Sequence, residues 1–107
     1  MYTAHTIYFQ KGDFIMKFIY PAVFHPNKDG GYDAHFPDLE CCEASGETLE
    51  DAIEHANEAA RTWLTVELEE DNPVFPYVSD LEDIEVKEGE IIRNISVNIR
   101  FYEGWDE

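Results

Sequence analysis

One long amphipathic helix constrains the fold of this chain more than any other feature of the sequence. Thr48 is a favourable N-cap residue, and Asp51 follows at capping-box spacing, where negative charge also suits the helix dipole. The helix cannot continue past Asn72-Pro73. Apolar residues recur along one stripe, at Leu49, Ala52, Ile53, Ala56, Ala60, Trp63, Leu64 and Leu68. Such a stripe needs a second layer of structure to cover it, and the flanking strands are the obvious partner.

The segment before the helix has the pattern of three strands. Residues 18–25 are rich in aromatic and β-branched residues and predict a first strand, in which Pro21 indicates an edge position or a bulge. A turn cluster with two glycines follows, and residues 31–36 alternate between apolar and polar, which predicts the second strand of a hairpin. A short third strand is predicted over residues 40–44.

The segment after the helix predicts a loop and further strands. Two prolines mark residues 71–80 as a loop, and residues 84–86 are interpreted as a short strand. Residues 91–102 predict a long strand, whose apolar residues share one face apart from Arg93: Ile91, Ile95, Val97, Ile99 and Phe101. The order β-β-β-α-β predicts an α+β two-layer domain, with one long helix on one face of a mostly antiparallel sheet.

Four short motifs occur in a fixed order, and together they are more specific than any of them alone. They are Tyr20-Pro21-Ala22-Val23-Phe24, Asp29-Gly30-Gly31-Tyr32, Phe36-Pro37-Asp38-Leu39 and Gly46-Glu47-Thr48-Leu49-Glu50-Asp51-Ala52. The ordered set resembles the HicB family of antitoxins, and the resemblance implies a partial RNase H-like fold. The family's corner often reads Pro-Gly-Cys, whereas Glu40 and Cys41 replace the Pro-Gly here. This departure leaves the tightness of the corner open.

The resemblance also suggests how the chain is divided. Met16 begins the sequence MKFIYPAVF, which is how members of the family usually start. Residues 1–15 are therefore interpreted as an N-terminal extension or as sequence added to the natural protein, and residues 16–107 as one HicB-like domain. The chain has no apolar run of the ~20 residues that a spanning helix needs and no signal-peptide pattern, so a cytoplasmic protein is expected.

The charge of the chain restricts its partners. There are 24 acidic and 7 basic residues, which gives a net charge of −17. Without a cluster of cations to displace counterions from phosphates, the chain is not expected to bind nucleic acid or anionic membranes. It should attract basic partners and associate with them quickly at low salt. The alternative is that the acidic surface serves solubility alone.

Residues that could carry chemistry form no recognisable catalytic or metal-binding pattern. Cys41 and Cys42 are adjacent, which disfavours a disulfide, and we expect one buried and one exposed thiol on a short strand. His55 lies beside the apolar stripe and is expected to be partly buried. Carboxylates near the corner could in principle support a two-metal nuclease, but no positive channel for a nucleic-acid substrate is evident. The sequence therefore predicts no enzyme, cofactor or metal site.

The family resemblance implies an antitoxin of a type II toxin–antitoxin system. Its partner would be a small basic HicA-type RNase with a catalytic histidine, whose RNA-binding and catalytic face the acidic domain would mask. The candidate contacts are carboxylates of the corner, the helix start and the outer helix face: Asp38, Glu40, Glu43, Glu47, Glu50, Asp51, Glu54 and Glu58. The leading alternative is an orphan HicB-like protein-interaction module without a toxin.

The end of the chain bears on two further expectations. Many HicB-like antitoxins carry a C-terminal DNA-binding module, but residues 102–107 are acidic and too short for one, so direct DNA binding is not expected. Trp105 is expected either to pack against the sheet or to face a partner. An exposed strand edge would also permit homodimerisation.

Overall fold

A computed structural model describes residues 5–10 and 13–102, with side chains described for residues 16–99. Its strands are β1 (His5–Gln10), β2 (Asp13–Pro26), β3 (Tyr32–His35), β4 (Glu43–Gly46) and β5 (Ile91–Tyr102). The helix α1 (Leu49–Leu68) lies between β4 and β5, and a short 3-10 turn (Leu81–Asp83) lies in the connection from α1 to β5. The predicted α+β class, with one long helix and an antiparallel sheet, is confirmed.

The central strand of the sheet is β2, and every strand pair is antiparallel. On one edge, β5 pairs with residues 13–24 of β2. Because that edge is taken, β1 and β3 share the other edge: β1 pairs with residues 13–17 and β3 with residues 23–26. The strand predicted over residues 18–25 corresponds to β2, which begins at Asp13, five residues before the predicted start at Phe18. Part of the segment interpreted as an extension lies in the sheet, and its origin stays a prediction.

The position of Pro21 explains how a central strand tolerates a proline. The ladder with β5 runs through the pair Pro21–Asn94 without a shift of register, so the alternative of a bulge is wrong. On the opposite edge, residues 18–22 lie between the segments that pair with β1 and β3. In the described part of the chain, no strand there requires the N–H that proline lacks.

The core lies between α1 and one face of the sheet. From β2 it receives Phe18, Tyr20, Ala22 and Phe24, and from β5 it receives Ile95, Val97 and Ile99. Facing them is the predicted apolar stripe of α1, in which Ala52, Ala56, Ala60 and Leu64 are fully buried. Because alanine side chains are short, the helix lies close to the sheet and the aromatic residues of β2 fill the layer between them. Among the described residues, no helix is both long and apolar enough to cross a membrane.

The start of α1 is fixed by a cap and by a close backbone contact. The hydroxyl of Thr48 accepts a hydrogen bond of 3.0 Å from the backbone N–H of Asp51, as the sequence predicts. Just before it, Gly46 ends β4 directly beneath the first turn. A Cβ atom at Gly46 would lie 2.3 Å from the backbone N of Ala52, closer than any side chain can pack. The turn between β4 and α1 therefore requires glycine for its lack of a side chain.

The corner from β3 to β4, residues 36–42, is closed by backbone hydrogen bonds. Phe36 and Cys42 are joined by an N–H to O bond of 3.1 Å, and the N–H of Cys42 donates to the carbonyl of Leu39 at 3.1 Å. Cys41 is exposed and Cys42 is buried, which confirms the prediction for the two thiols. Both cysteines precede β4, however, so the predicted strand over residues 40–44 starts too early. The corner is closed without the family's glycine because Cys41 adopts a φ of 61°.

One predicted strand is wrong. Residues 84–86 are not a strand, because the N–H of Ile84 closes the 3-10 turn by bonding the carbonyl of Leu81. Glu85 and Val86 are exposed, so this segment presents no buried face to the sheet. The predicted strand over residues 91–102 is confirmed as β5.

Replacing Cys41 by glycine should stabilise the protein. The left-handed backbone conformation of Cys41 is unfavourable for a residue with a Cβ and favourable for glycine. We expect Cys41→Gly to raise the free energy of unfolding by about 1 kcal/mol in urea denaturation. Cys41→Ala is the matched control, since it removes the thiol but keeps the Cβ. Equal stabilities of the two variants would contradict the backbone explanation.

Replacing Gly46 by alanine should have the opposite effect. The added methyl group must displace the backbone of the first helical turn, which is more costly than moving a flexible side chain. We expect Gly46→Ala to lower the free energy of unfolding by about 1–3 kcal/mol. Ser45→Ala, at an exposed neighbour in the same strand, serves as the control and should change stability little. A Gly46→Ala variant as stable as the wild type would show that α1 can shift without cost.

Candidate partner-binding surface

The eight predicted contact residues do not form one surface. Four of them, Glu47, Glu50, Asp51 and Glu54, surround the start of α1, and we call them the helix-start surface. Two others, Asp38 and Glu40, lie in the corner, and Glu43 follows it as the first residue of β4. The indole N–H of Trp63 donates to the backbone carbonyl of Glu40 at 2.9 Å, so the corner lies beside the second half of α1. The rise of a helix places Trp63 about 20 Å along its axis from Glu50.

Most carboxylates of the helix-start surface are open to solvent. Glu47, Glu50 and Glu54 are exposed and Asp51 is half-buried. Glu58, the eighth predicted residue, is also exposed and continues the row of Glu50 and Glu54 at a spacing of four residues. Side chains at this spacing are neighbours on a helix, and like charges there repel each other. A cationic partner would relieve that repulsion.

His55 belongs to this surface and not to the core. Its Nδ1–H donates to the backbone carbonyl of Ser45 at 2.7 Å, so the ring reaches out to the end of β4 and is exposed. The prediction of a partly buried His55 is therefore wrong. The hydrogen bond to Ser45 raises the pKa of His55, and the charges of Glu58, Asp51 and Glu54 raise it further. Protonation of His55 on acidification would reduce the negative charge of the surface.

Asp38 has an internal role that the sequence did not reveal. One of its carboxylate oxygens accepts a hydrogen bond of 2.8 Å from the N–H of Ser79, and the other accepts one of 2.7 Å from the Ser79 hydroxyl. Burial, together with the charge of Asp38, raises the pKa of Tyr20 to about 12, so the phenol remains protonated. It donates to the carbonyl of Pro76 at 2.7 Å. Asp38 and Tyr20 thus hold the connection from α1 to β5 against the domain.

The same connection carries exposed apolar side chains that the sequence analysis did not predict as contacts. In the described part of the chain, the large hydrophobic residues that are exposed are Val66, Val74, Tyr77, Leu81 and Val86. All of them lie at the end of α1 or in the connection. Val74, Tyr77 and Leu81 are spaced three and four residues apart, but the segment that contains them has two prolines and is not an α-helix, so the spacing does not indicate a common face. The one signal that could have indicated them is the occurrence of large apolar residues in a segment otherwise rich in acids and prolines.

A surface groove lies between the corner and the second half of α1. Its lining is mainly apolar and includes Cys41, Ala59, Trp63 and Val66, with the acids Glu43 and Glu67 at its borders. The buried thiol of Cys42 also lines it; burial and the nearby charge of Glu43 raise the pKa of this thiol to about 11, so it is protonated at neutral pH and unsuited to nucleophilic attack. Within the described residues, no group of three or more His, Cys, Asp or Glu side chains could hold a metal ion.

Comparisons with known proteins define the class to which this acidic α+β domain belongs. A family model described as a HicB-like antitoxin of bacterial toxin–antitoxin systems matches residues 20–101. The chain belongs to this family of HicB-like antitoxins, in agreement with the resemblance seen in its motifs. No curated protein matches the chain.

A solved structure supports the same conclusion for the fold. The crystal structure of the N-terminal domain of the Burkholderia pseudomallei antitoxin HicB has a TM-score of 0.62 to this chain at 27% sequence identity. The match covers 76% of this chain and 99% of that domain. The α+β fold is therefore that of the HicB N-terminal domain. Trp105, which is expected from the sequence either to pack against the sheet or to face a partner, lies outside the described residues.

The role assigned to Asp38 can be tested by an isosteric substitution. In Asp38→Asn, the amide oxygen can still accept from the N–H of Ser79 and the NH2 group can donate to the rotatable Ser79 hydroxyl, but both hydrogen bonds lose the charge of the carboxylate that strengthens them. We expect the free energy of unfolding to fall by about 2 kcal/mol, as measured by denaturant unfolding. Glu40→Gln removes the same charge from an exposed position in the same corner and should change stability by less than about 0.5 kcal/mol. Equal effects of the two variants would mean that the Asp38–Ser79 contact contributes no net stability.

Proposed function

We propose that this chain is the antitoxin of a type II toxin–antitoxin pair and neutralises a HicA-type mRNA-cleaving toxin. It would act by binding and not by catalysis, covering the toxin's RNA-binding and catalytic face in the cytoplasm. Family membership supports an antitoxin role and hence a toxin partner in general. The observation that carries the more specific proposal is the row of exposed carboxylates along the start of α1 in a chain of net charge −17.

The physical argument is competition for a cationic surface. An RNase must attract the phosphates of its substrate with basic residues, and these residues attract carboxylates in the same way. Glu47, Glu50 and Glu54 lie close together at one end of α1, so they can face such a surface simultaneously. Once the domain is docked, its bulk excludes the RNA. Electrostatic attraction of this kind chiefly accelerates association and weakens with salt.

Charge reversal at three positions tests the helix-start surface. We expect Glu47→Lys/Glu50→Lys/Glu54→Lys to associate with a catalytically inactive toxin about 10–100-fold more slowly than the wild type at low salt. The corresponding triple Gln variant should have an intermediate rate, because it removes the charges without reversing them. The three rates, measured by stopped-flow or biolayer interferometry, should converge in about 1 M salt.

The results distinguish an error in the choice of the helix-start surface from an error in the antitoxin proposal. If the triple Lys variant is folded and associates as fast as the wild type at low salt, the helix-start surface does not meet the toxin. If the wild-type chain does not co-purify with the product of a neighbouring small reading frame and does not suppress its RNA cleavage, the antitoxin proposal is wrong. The same acidic surface would then be that of an orphan protein-interaction module with another basic partner.

A further inference from the structure

We infer that the apolar anchor for the basic partner is formed by Val66, Val74 and Tyr77, which we call the connection patch. It lies at the other end of α1 from the helix-start surface. This inference rests on the proposed function, because the partner it names is the basic toxin. It goes beyond that function by assigning the contact that keeps the complex together to residues other than the predicted carboxylates.

The exposed fractions of these side chains are the first observation. Val74 is 67% exposed, Tyr77 64% and Val66 55%, whereas Leu81 and Val86 are 40% and 38% exposed. Single exposed hydrophobic residues are common and need no explanation. Here, however, the large hydrophobic residues that are exposed in the described part of the chain all fall between residues 66 and 86. Their concentration in one segment distinguishes it from the rest of the described surface.

The second observation is that this segment is held in place. The N–H of Val74 donates to the carboxylate of Glu67 at 2.9 Å, which fixes Val74 beside the turn of α1 that carries Val66. The ring of Phe75 packs on the buried Phe18 with 4.9 Å between centroids. The contacts of Pro76 with Tyr20 and of Ser79 with Asp38 hold the chain on either side of Tyr77. The patch is therefore presented by an ordered scaffold, so binding requires little further ordering.

Charge determines the kind of partner. Residues 66–90 contain ten acidic residues and one basic residue, Lys87. An apolar centre with an acidic rim suits a partner that offers an apolar side chain among lysines and arginines. A second copy of this chain would bring another molecule of net charge −17 against the same rim, which opposes self-association. The partner that fits is a basic protein surface.

The helix-start surface and the connection patch then contribute to different steps of binding. Among the described residues, the helix-start surface has exposed carboxylates but no large exposed hydrophobic side chain. Carboxylates at a rim mainly raise the association rate, whereas the dissociation rate depends on a few buried apolar or aromatic contacts. The helix-start surface therefore steers the partner, and the connection patch retains it.

The test separates these two rates. The variant Val74→Ser/Tyr77→Ser of the full chain is compared with the wild type in binding to the purified toxin with its catalytic histidine replaced. We expect the Kd to rise about 30-fold or more through faster dissociation, with an association rate within a few-fold of the wild type. Both positions are exposed, so the unfolding midpoint should change little. Val86→Ser, an exposed valine on the same connection but outside the patch, is the matched control and should bind like the wild type.

Three results would overturn the inference in distinguishable ways. If the wild type binds the toxin and the double variant binds equally well, the patch is not the anchor and the proposed function stands. If sedimentation shows a wild-type dimer that the double variant converts to a monomer, the patch is an interface between copies of this chain. If the wild type does not bind the toxin at all, the inference and the proposed function both fail.

Discussion

The packing of the alanine stripe of α1 against one face of the sheet is the interaction on which the rest of the structure depends. Ala52, Ala56 and Ala60 are fully buried, so the backbone of the helix approaches the sheet closely. That approach leaves no room for a side chain at Gly46, where the chain turns from β4 into α1. It also brings Trp63 within hydrogen-bonding distance of the corner at Glu40. This one packing arrangement therefore positions both the helix-start surface and the corner.

The corner connects the core with the long segment between α1 and β5. Asp38 belongs to one of the four motifs that resemble the HicB family. Its carboxylate nevertheless makes contacts within the molecule, where it accepts hydrogen bonds from the N–H and the hydroxyl of Ser79. This contact and the Tyr20–Pro76 hydrogen bond allow a connection without regular strands to keep a defined path. An ordered connection can expose Val74 and Tyr77 without collapsing onto the core, because hydrogen bonds at Val74, Pro76 and Ser79 hold it to the domain. The internal role of Asp38 and the exposure of the patch are thus consequences of the same arrangement.

The sequence predicted the parts of the fold that local pattern determines. The cap at Thr48, the alanine stripe and the alternation in β5 each depend on residues a few positions apart, and all three are present. The errors concern relations between distant residues. Asp38 and Ser79 are 41 positions apart, and no periodicity connects them. The predicted strand at residues 84–86 is wrong because no strand in the described part of the chain pairs with this segment. The predicted contacts follow from charge alone, and acidic residues are spread over most of this chain.

That spread explains why acidity alone cannot locate a binding site in a protein of this kind. With 24 acidic residues in 107, carboxylates occur along most of the chain, and a basic partner would be attracted to many parts of its surface. Attraction of this kind brings partners together but does not select one orientation. Orientation requires contacts that are rare on the surface, and the rare feature here is exposed apolar area. In a strongly acidic binding domain, the position of the few exposed hydrophobic side chains therefore says more about the docked complex than the position of the many carboxylates.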